Sequence, residues 1–414
     1  QQCSFDDFQL LTRLGAGGAG AVFRARQLSV DRDVALKCVL RPDPAAEQRF
    51  LREVAALGRV SHPNLARIFA YGAAGVQCYY AMELVEGADL ARIMQHLIRG
   101  ANGEVDANEW VHAVTTACEH ARAAETKLDS ESDAQAMPEP TPTPPPDLRA
   151  GPHYIRQVVT LMAQVADAAH ALHEAQPQGI IHRDIKPSNI VVAPDGERAV
   201  LVDLGLALLP DEASDRAKLT RTRQFVGTAR YASPEQIFDA HRVDRRTDVY
   251  SLGATLWELL ALRPLFGGAG DDPSFDRALA VAVSIRTHNR RVPADLDAVV
   301  RKCLAPDKTK RYSSAAEFAA DLRRWLAGEP VTAQPPTLRY IWGLHVRKHK
   351  WKVAAGIALL VALVAGTIGG FAVLEQQRQK EIAANKEKAE ALEREQKINE
   401  ELSARNKALQ HFND

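Results

Sequence analysis

The segment IIHRDIKPSNIVV, residues 180–192, brings a carboxylate, an ammonium group and an amide within six positions of the chain. Asp184 can accept a hydroxyl proton, Lys186 can neutralise a phosphoryl group in transfer, and the side-chain oxygen of Asn189 can bind Mg²⁺. In the following segment, VLVDLGLA, Asp203 comes directly after an apolar strand and adds a second oxygen ligand. These residue types in this order predict phosphoryl-transfer chemistry.

A glycine-rich turn precedes these residues in the chain. Gly15, Gly17 and Gly20 recur at GxGxxG spacing within LGAGGAGAV. The same spacing marks dinucleotide-binding folds, but here two strand-like runs follow it, VFRARQL and DVALKCVL, instead of a helix. We therefore expect a β-hairpin whose backbone approaches phosphate oxygens closely, because no Cβ intervenes. Lys37, in the second run, is placed to bind the same phosphates.

A helix is predicted over the run AEQRFLREVAALGRV. Phe50, Val54 and Leu57 recur at helical spacing and form its expected core face. Glu53 lies next to that face. Beside a partly buried lysine, it is the natural counter-ion that would orient the Lys37 ammonium.

Length and composition restrict the class of protein. A chain of 414 residues exceeds the usual size of one hydrophobic core, which predicts two or three structural units. With 46% hydrophobic and 25% charged residues, it is neither wholly disordered nor collagen-like. Lys+Arg and Asp+Glu both number 52, so we expect no nucleic-acid partner. Five scattered cysteines without a CxxC pair argue against a zinc site or a disulfide framework and favour a reducing compartment.

Residues 353–374 form an uncharged run of 22 residues. At about 1.5 Å per residue, a helix of this length reaches roughly the 30 Å of a bilayer core. The run therefore predicts one transmembrane helix rather than a buried core helix. The basic cluster immediately before it, which includes Lys350 and Lys352, favours a cytoplasmic N-terminal side. Counted over 20 residues, each flank carries five Lys or Arg residues, so the charge rule is weak here.

Residues 375–414 contain no Gly or Pro and have strong helix composition. Their apolar residues keep no single heptad register, which leaves a coiled coil and a solvated helix as alternatives. Gly366 and Gly370 form a GxxxG pair, which indicates either helix dimerisation or ordinary lipid-exposed glycines. We expect no secretory signal at the beginning of the chain, and a natural protein that continues beyond its end.

Residues 99–152 interrupt the globular pattern. Six of the nine residues in 138–146 are proline, and a polar run precedes them, which predicts a disordered insertion. Its upstream part has the composition for one helix. Residues 328–352 are predicted to link the globular domain to the membrane helix.

Taken in order, these motifs resemble the eukaryotic-type (Hanks-type) Ser/Thr protein kinase family, and the chain is similar to bacterial transmembrane Ser/Thr kinases. The resemblance covers about residues 8–326. GAGGAG resembles the glycine-rich loop, HRDIKPSN the catalytic loop, DLG the magnesium motif, and ASPEQ the APE motif. In the last motif Glu235 resembles the family's conserved-motif glutamate, and Arg311 resembles the arginine that pairs with it. Asp248 of TDVYSLG lies on a predicted core helix. Leu204 and Ser233 depart from the family pattern without removing a chemical group.

The resemblance implies an α+β, two-lobe kinase fold with a β-rich N-lobe and a helical C-lobe. The kinase domain is expected over 8–327, with the insertion at 99–152. The linker at 328–352, a single transmembrane helix at 353–374 and a charged C-terminal helix at 375–414 follow it. The insertion is expected on the surface, away from the phosphates.

The resemblance also implies roles for individual residues. Asp184 would be the catalytic base, Lys186 would contact the γ-phosphate, and Asn189 and Asp203 would bind Mg²⁺. Lys37, oriented by Glu53, would hold the α- and β-phosphates of ATP. The expected nucleotide-binding residues are Leu14, Gly15, Gly17, Gly20, Val22, Ala35, Lys37, Glu83 and Val85, with Met82 as gatekeeper.

The function implied is a cell-membrane, single-pass Ser/Thr kinase with a cytoplasmic catalytic domain, using ATP and Mg²⁺ on protein substrates and on itself. Arg183 is expected to pair with a phosphate on the activation segment, where Thr220 and Thr222 are the candidate acceptors. Two alternatives stand beside it. One is a catalytically silent kinase-like scaffold, and the other is a membrane adaptor that forms homodimers.

Overall fold

The chain forms two compact units, residues 1–337 and 338–414, which are described separately. The structure is a computed structural model. It describes residues 4–5, 7–17, 20–40, 44–74, 77–100, 103–127, 148–176, 178–203, 230–238, 240–266, 284–335, 337, 340–341, 343, 346 and 349–413.

The N-terminal lobe is an antiparallel sheet of six strands in the order β1-β2-β3-β4-β6-β5. A helix, α1 (Pro44–Leu57), connects β4 to β5. The predicted core face of this helix is confirmed, because Phe50, Val54 and Leu57 are all buried. The strands are β1 (Ser4–Phe5), β2 (Phe8–Gly17), β3 (Gly20–Gln27), β4 (Arg32–Leu40), β5 (Ile68–Ala74) and β6 (Gln77–Glu83).

The C-terminal lobe is mostly helical, as the family resemblance implied. Its centre is formed by α6, which is buried on nearly all sides, and by α4, which buries its apolar residues against the lobe. The helices described in this lobe are α2 (Leu90–Gly100), α3 (Ala107–Lys127), α4 (Pro152–His173), α5 (Pro234–Phe238), α6 (Arg246–Ala261), α7 (Ala294–Cys303) and α8 (Ala315–Ala327).

Short strands complete this lobe and position the loops of the site. β7 (Ala88–Asp89), β10 (Ile190–Val192) and β11 (Ala199–Leu201) form a three-stranded antiparallel sheet in the order β11-β10-β7. Because β10 and β11 pair directly, the segments before β10 and after β11 leave the sheet at the same end. The first segment carries Asp184 and the second carries Asp203.

The expectation of disorder across residues 99–152 is wrong at both ends of this insertion, whereas the helix predicted in its upstream part is confirmed. It contains α3 and a parallel strand pair, β8 (Glu104–Val105) with β9 (Arg149–Ala150). Helix α3 is ordered by packing, since Trp110, Val114 and Ala117 are buried against the lobe. The predicted proline-rich run at 138–146 lies outside the described residues.

The expected linker at 328–352 is also part of the folded domain at its beginning. Val331 is buried, and the carboxylate of Asp321 on α8 accepts hydrogen bonds from the backbone N–H groups of Thr332 and Ala333 at 2.9 and 3.0 Å. Because of these hydrogen bonds, the folded domain extends to residue 333.

The second unit contains one long helix, α9 (Lys350–Asn413), of 64 residues. The predicted apolar run and the predicted charged run are therefore consecutive parts of a single helix. Among the described residues, this is the one helix that is long and apolar enough to cross a membrane. Its large apolar side chains are exposed, including Leu360, Leu363 and Phe371.

Candidate active site

The glycine-rich turn joins β2 to β3, and its backbone closes through the pairing of Gly17 with Gly20. Gly20 has φ 131°, a conformation that residues with a side chain rarely adopt. A Cβ at this position would also lie 2.0 Å from the backbone oxygen of Cys38. Glycine is therefore required at position 20 by both the conformation and the space.

One face of the N-lobe sheet carries the residues predicted to meet the nucleotide. Val22 on β3 is directly opposite Lys37 on β4, and Lys37 is opposite Tyr80 on β6. Residues that are directly opposite, and residues two apart on one strand, point to the same face. Ala35 therefore shares this face with Val22 and Lys37, and we refer to it as the cleft face.

Lys37 contacts the carboxylate of Asp203, which follows β11 in the other lobe. The side chains of Lys37 and Asp203 are 7% and 35% exposed, so this ion pair connects the two lobes with its ammonium buried and its carboxylate open to the cleft. Asp203 has φ 56°, a strained conformation for a residue with a side chain. Burial, together with the nearby Asp203 carboxylate, raises the pKa of the Tyr80 hydroxyl well above its ordinary value.

The catalytic-loop residues form a connected polar cluster. The Lys186 ammonium lies 2.8 Å from the Oδ2 atom of Asp184. The side-chain nitrogen of Asn189 donates to the same Oδ2 at 3.0 Å and to the backbone oxygen of Asp184 at 2.7 Å. The Asp184 carboxylate is thus held at one oxygen by two donors from its own loop.

His182 connects this loop to the segment that carries Asp203. The backbone N–H of Asp184 donates to Nδ1 of His182, while Nε2 of His182 lies 3.3 Å from the backbone oxygen of Val202. Because Nδ1 accepts, the hydrogen must be on Nε2, and the ring is neutral. Burial lowers the pKa of His182, which agrees with this neutral form.

Asp248, on α6, binds the backbone of the catalytic loop. Its carboxylate accepts hydrogen bonds from the backbone N–H groups of His182 and Arg183, each at 2.8 Å, and lies 2.8 Å from Nε2 of His173. Burial alone would raise the pKa of Asp248, but the hydrogen bonds from His173 and the backbone lower it below its ordinary value. Arg183 has φ 67°, and these bonds hold it in that strained conformation.

The segment after the activation region is fixed by a capping box and a buried ion pair. The Ser233 hydroxyl accepts from the Gln236 backbone, and the Gln236 side chain accepts from the Ser233 backbone at 3.0 Å. The same Gln236 side chain donates to the backbone oxygen of Arg183 at 2.8 Å. Arg311 binds Glu235 through two nitrogens at 2.7 and 2.9 Å, which agrees with the predicted pairing.

The remaining predicted residues have the following places. Met82 and Glu83 end β6, and Val85 lies in the segment between β6 and β7. The backbone N–H of Glu83 donates to the Arg67 oxygen at 2.8 Å, so this group is already engaged. Glu53 lies partly buried on α1. Leu14 packs against the core beside Val22, while Leu204, Thr220 and Thr222 lie outside the described residues.

The oxygen atoms of Asn189 and Asp203 fit a divalent cation of the Mg²⁺ type. The backbone oxygen of Asn189 accepts from the Val202 N–H at 2.9 Å, which holds Asn189 close to the segment that carries Asp203. The Asn189 amide donates its nitrogen to Asp184, so its side-chain oxygen faces the other way. Carboxylate and amide oxygens are the ligands that hard cations prefer. No cluster of three or more His, Cys, Asp or Glu side chains suited to a metal occurs in the described part of the chain.

Comparison with known proteins gives the family. The model of the protein kinase domain matches residues 8–124 and 149–322. The chain belongs to the protein kinase family. The unmatched residues, 125–148, lie within the insertion predicted from the sequence.

The kinase domain is similar to those of bacterial Ser/Thr kinases. The chain is 32% identical over 338 residues to the serine/threonine-protein kinase PknB of Mycobacterium leprae, a match that covers 79% of this chain and 44% of that protein. It is 29% identical over 394 residues to PknF of Mycobacterium bovis, covering 91% of this chain and 69% of the relative. The chain thus spans less than half of the length of the PknB proteins that it matches.

Solved structures agree on the fold. The kinase domain of PknI from Mycobacterium tuberculosis superposes with a TM-score of 0.52 at 21% identity. The match covers 79% of this chain and 98% of that one.

Sequence reasoning missed three parts of the site. It placed Asp248 on a core helix but did not connect it to the catalytic loop. It did not find His173 at all, since a single histidine on an apolar helix carries no local signal. Gln236 was detectable, because the S-x-x-Q spacing of Ser233 and Gln236 is that of a capping box.

We expect Asp248→Asn to lower kcat by about tenfold to a hundredfold. An asparagine cannot accept all three hydrogen bonds, and each bond to a charged group contributes about 1.5–3 kcal/mol, where 1.36 kcal/mol is tenfold in rate. The measurement is steady-state phosphotransfer, with circular dichroism to show that the fold is kept. Asp195→Asn, in the exposed turn between β10 and β11, is the matched control. Equal kcat values for the two variants would contradict this role.

Glu258, on α6, makes the stability of the kinase domain depend on pH. It is 4% exposed and accepts a hydrogen bond from the Tyr231 hydroxyl at 2.8 Å. Burial raises the pKa of Glu258 from 4.5 to about 7, against smaller opposing effects of Tyr231 and Arg230. Between these two values the folded protein binds more protons than the unfolded one, so stability falls as pH rises.

We expect Glu258→Gln to remove this pH dependence. Relative to the variant, the unchanged protein should lose about 3 kcal/mol of unfolding free energy between pH 4.5 and 7, since one pKa unit corresponds to about 1.4 kcal/mol. The measurement is the unfolding transition of both proteins at several pH values in this range. Parallel pH profiles for the two proteins would contradict the assignment.

Proposed function

We propose that this protein is a membrane-anchored Ser/Thr protein kinase that transfers the γ-phosphoryl group of ATP to Ser and Thr hydroxyls of itself and of cytosolic proteins. The observation that carries this proposal is the cluster of Asp184, Lys186 and Asn189, held in place by Asp248 and joined through His182 to the Asp203 segment. Every group that the reaction requires is present, which argues against a catalytically silent scaffold.

The cluster supports a division of labour in the reaction. The free oxygen of the Asp184 carboxylate is the group to accept the proton of the attacking hydroxyl, since Oδ2 is already bonded to Lys186 and Asn189. Lys186 supplies positive charge beside the attacking oxygen and the transferring phosphoryl group. The Lys37 ammonium must leave Asp203 to bind the α- and β-phosphates, which frees the Asp203 carboxylate.

A divalent cation fits the same arrangement. Asn189 and Asp203 are the residues that would hold Mg²⁺, which when bound neutralises phosphate charge and orients the phosphates. The positive charge of the cation would then replace that of the Lys37 ammonium beside the Asp203 carboxylate. The departure of Lys37 and the binding of the cation are therefore coupled.

Two features favour Ser and Thr hydroxyls as acceptors. Lys186, two residues after Asp184, is the Ser/Thr form of the catalytic loop. The curated relatives PknB and PknF are both described as serine/threonine-protein kinases.

Control by phosphorylation of the activation segment is supported by Arg183. Its backbone is fixed by Asp248 and Gln236, while its buried Nε atom has no hydrogen-bond partner in the described part of the chain. An unpaired buried guanidinium nitrogen is costly, and a phosphate group would satisfy it. We propose phosphorylated Thr220 or Thr222 as that group.

The helix α9 is proposed to cross the cell membrane once. Its apolar part is exposed and of sufficient length, and basic residues precede it. A domain that uses ATP belongs in the cytoplasm, which agrees with the positions of those basic residues. A homodimer through α9 is an arrangement that the Gly366–Gly370 pair would permit.

Incubation of the full chain with Mg²⁺-ATP in detergent tests the catalytic proposal. Phosphate is expected on Thr220 or Thr222, as mapped by mass spectrometry. We expect phosphate incorporation to fall by about a thousandfold or more in Asp184→Asn, since the proton acceptor and its charge are both lost. Glu119→Gln, which changes an exposed carboxylate on α3, is the control. Equal incorporation in the parent and Asp184→Asn would refute the assignment of Asp184.

Carbonate extraction of cell membranes tests the anchor. The full chain is expected to stay in the membrane pellet, and a variant without residues 353–374 should move to the soluble fraction. In sealed membrane vesicles, added protease should digest the kinase domain only where the cytoplasmic face of the membrane is on the outside. Release of the full chain by carbonate would contradict the membrane anchor.

A further inference from the structure

Helix α3 belongs to the insertion and is fixed to the C-lobe by its first half. Trp110 is 4% exposed, its ring lies 5.8 Å from that of Tyr154 on α4, and it meets Gly196 in the turn between β10 and β11. From Trp110 to Glu125 the helix rises about 22 Å, at about 1.5 Å per residue. Its second half therefore extends well away from this anchor.

The far end of α3 contacts the other lobe. The Glu125 carboxylate lies 3.0 Å from the Nη1 atom of Arg24, which is on β3 in the N-lobe. The same guanidinium lies 3.1 Å from Asp33 on β4 and 3.5 Å from Glu86 in the segment between the lobes. Arg24 is thus shared by the N-lobe, the connecting segment and the insertion.

Arg24 lies on the cleft face of the sheet. It is directly opposite Ala35 and two residues after Val22, so its side chain points to the same face as theirs. These two neighbours are among the residues predicted to bind the nucleotide. The contact with Glu125 therefore lies at the end of the nucleotide cleft where the two lobes join.

The pair is partly withdrawn from solvent. The side chains of Arg24 and Glu125 are 27% and 23% exposed, so salt screens their attraction less than that of a fully exposed pair. Burial alone would lower the pKa of Arg24, but its hydrogen bonds to Glu125 and Asp33 raise it above its ordinary value.

We propose that the Arg24–Glu125 ion pair is an interlobe latch, through which the insertion helix holds the cleft closed over the nucleotide and slows nucleotide release. The proposal rests on nucleotide binding in the cleft, which is part of the proposed function. Arg24 and Glu125 act as positioning residues, since they contact neither the phosphates nor the catalytic loop.

The latch differs from the other ion pair that connects the lobes. Lys37 and Asp203 must separate when phosphates and a cation enter the cleft. Arg24 and Glu125 lie outside the phosphate site, so entry of the phosphates and the cation does not require them to separate. The latch therefore acts on the nucleotide-bound protein, where the Lys37–Asp203 pair no longer holds the lobes together.

Nucleotide release from the full chain in detergent tests the latch. The probe is a fluorescent ADP derivative with Mg²⁺, and the rate of its dissociation is measured after an excess of unlabelled ADP is added. Glu125→Gln is expected to raise this rate by about twofold to fivefold, the range that an ion pair of this exposure supports. KM for ATP should rise by a similar factor, while kcat should not fall.

The controls separate the latch from loss of charge or of fold. Glu119→Gln removes the same charge from the same helix six residues earlier and should release the probe at the parent rate. Arg24→Gln should raise the release rate by the same factor as Glu125→Gln. The effect of the double variant, expressed as a free energy, should be smaller than the sum of the two single effects. Circular dichroism of Glu125→Gln should match that of the parent.

Two results would overturn the proposal, and they differ from each other. Equal release rates for the parent, Glu119→Gln and Glu125→Gln would exclude the latch and leave the kinase assignment intact. Absence of probe binding to the parent protein would exclude the latch together with the proposed function.

Discussion

A carboxylate in the interior of the helical lobe, that of Asp248, determines the shape of the catalytic loop. Burying a charge costs several kcal/mol unless hydrogen bonds compensate for it. Here the compensating donors are two backbone N–H groups of the loop itself and the imidazole of His173. The loop can satisfy the buried charge only in the conformation that gives Arg183 its positive φ. The same conformation places Asp184 beside Lys186 and Asn189.

The segment that follows the activation region is held in turn by contacts to the catalytic loop and by a buried ion pair. Gln236 holds the backbone oxygen of Arg183, and the neighbouring Glu235 is held by Arg311. Burial alone would raise the pKa of Glu235, but the hydrogen bonds and the charge of Arg311 lower it. Two buried carboxylates on different helices, those of Asp248 and Glu235, therefore hold the catalytic loop and the segment that follows the activation region.

Much of this site is predictable from the sequence because its parts are local. The cluster of Asp184, Lys186 and Asn189 lies within six residues, and the glycine turn has its own spacing. The core face of α1 follows from helical periodicity. These signals come from residues that are close in sequence, and local backbone geometry allows such residues only a few relative positions.

The long-range partners could not be predicted in the same way. His173 and Asp248 are 75 residues apart, and nothing near either residue indicates the other. The disorder predicted for the whole insertion was wrong for a related reason, although one helix in its upstream part was predicted. Its proline-rich run dominated the composition, while the packing of α3 depends on Trp110 meeting a turn that lies more than 80 residues further along the chain. Burial against distant residues, rather than helix propensity, orders this segment.

The packing of Trp110 on Gly196 has an evolutionary consequence. A Cβ at position 196 would lie 2.9 Å from the indole nitrogen, and the glycine has φ 76°. A homologue that retains this tryptophan is therefore restricted to glycine at 196. One that lost the insertion would uncover Tyr154 and need another side chain to fill the space. The close approach of Trp110 thus adds a second reason for glycine at 196, beside the positive φ of the turn.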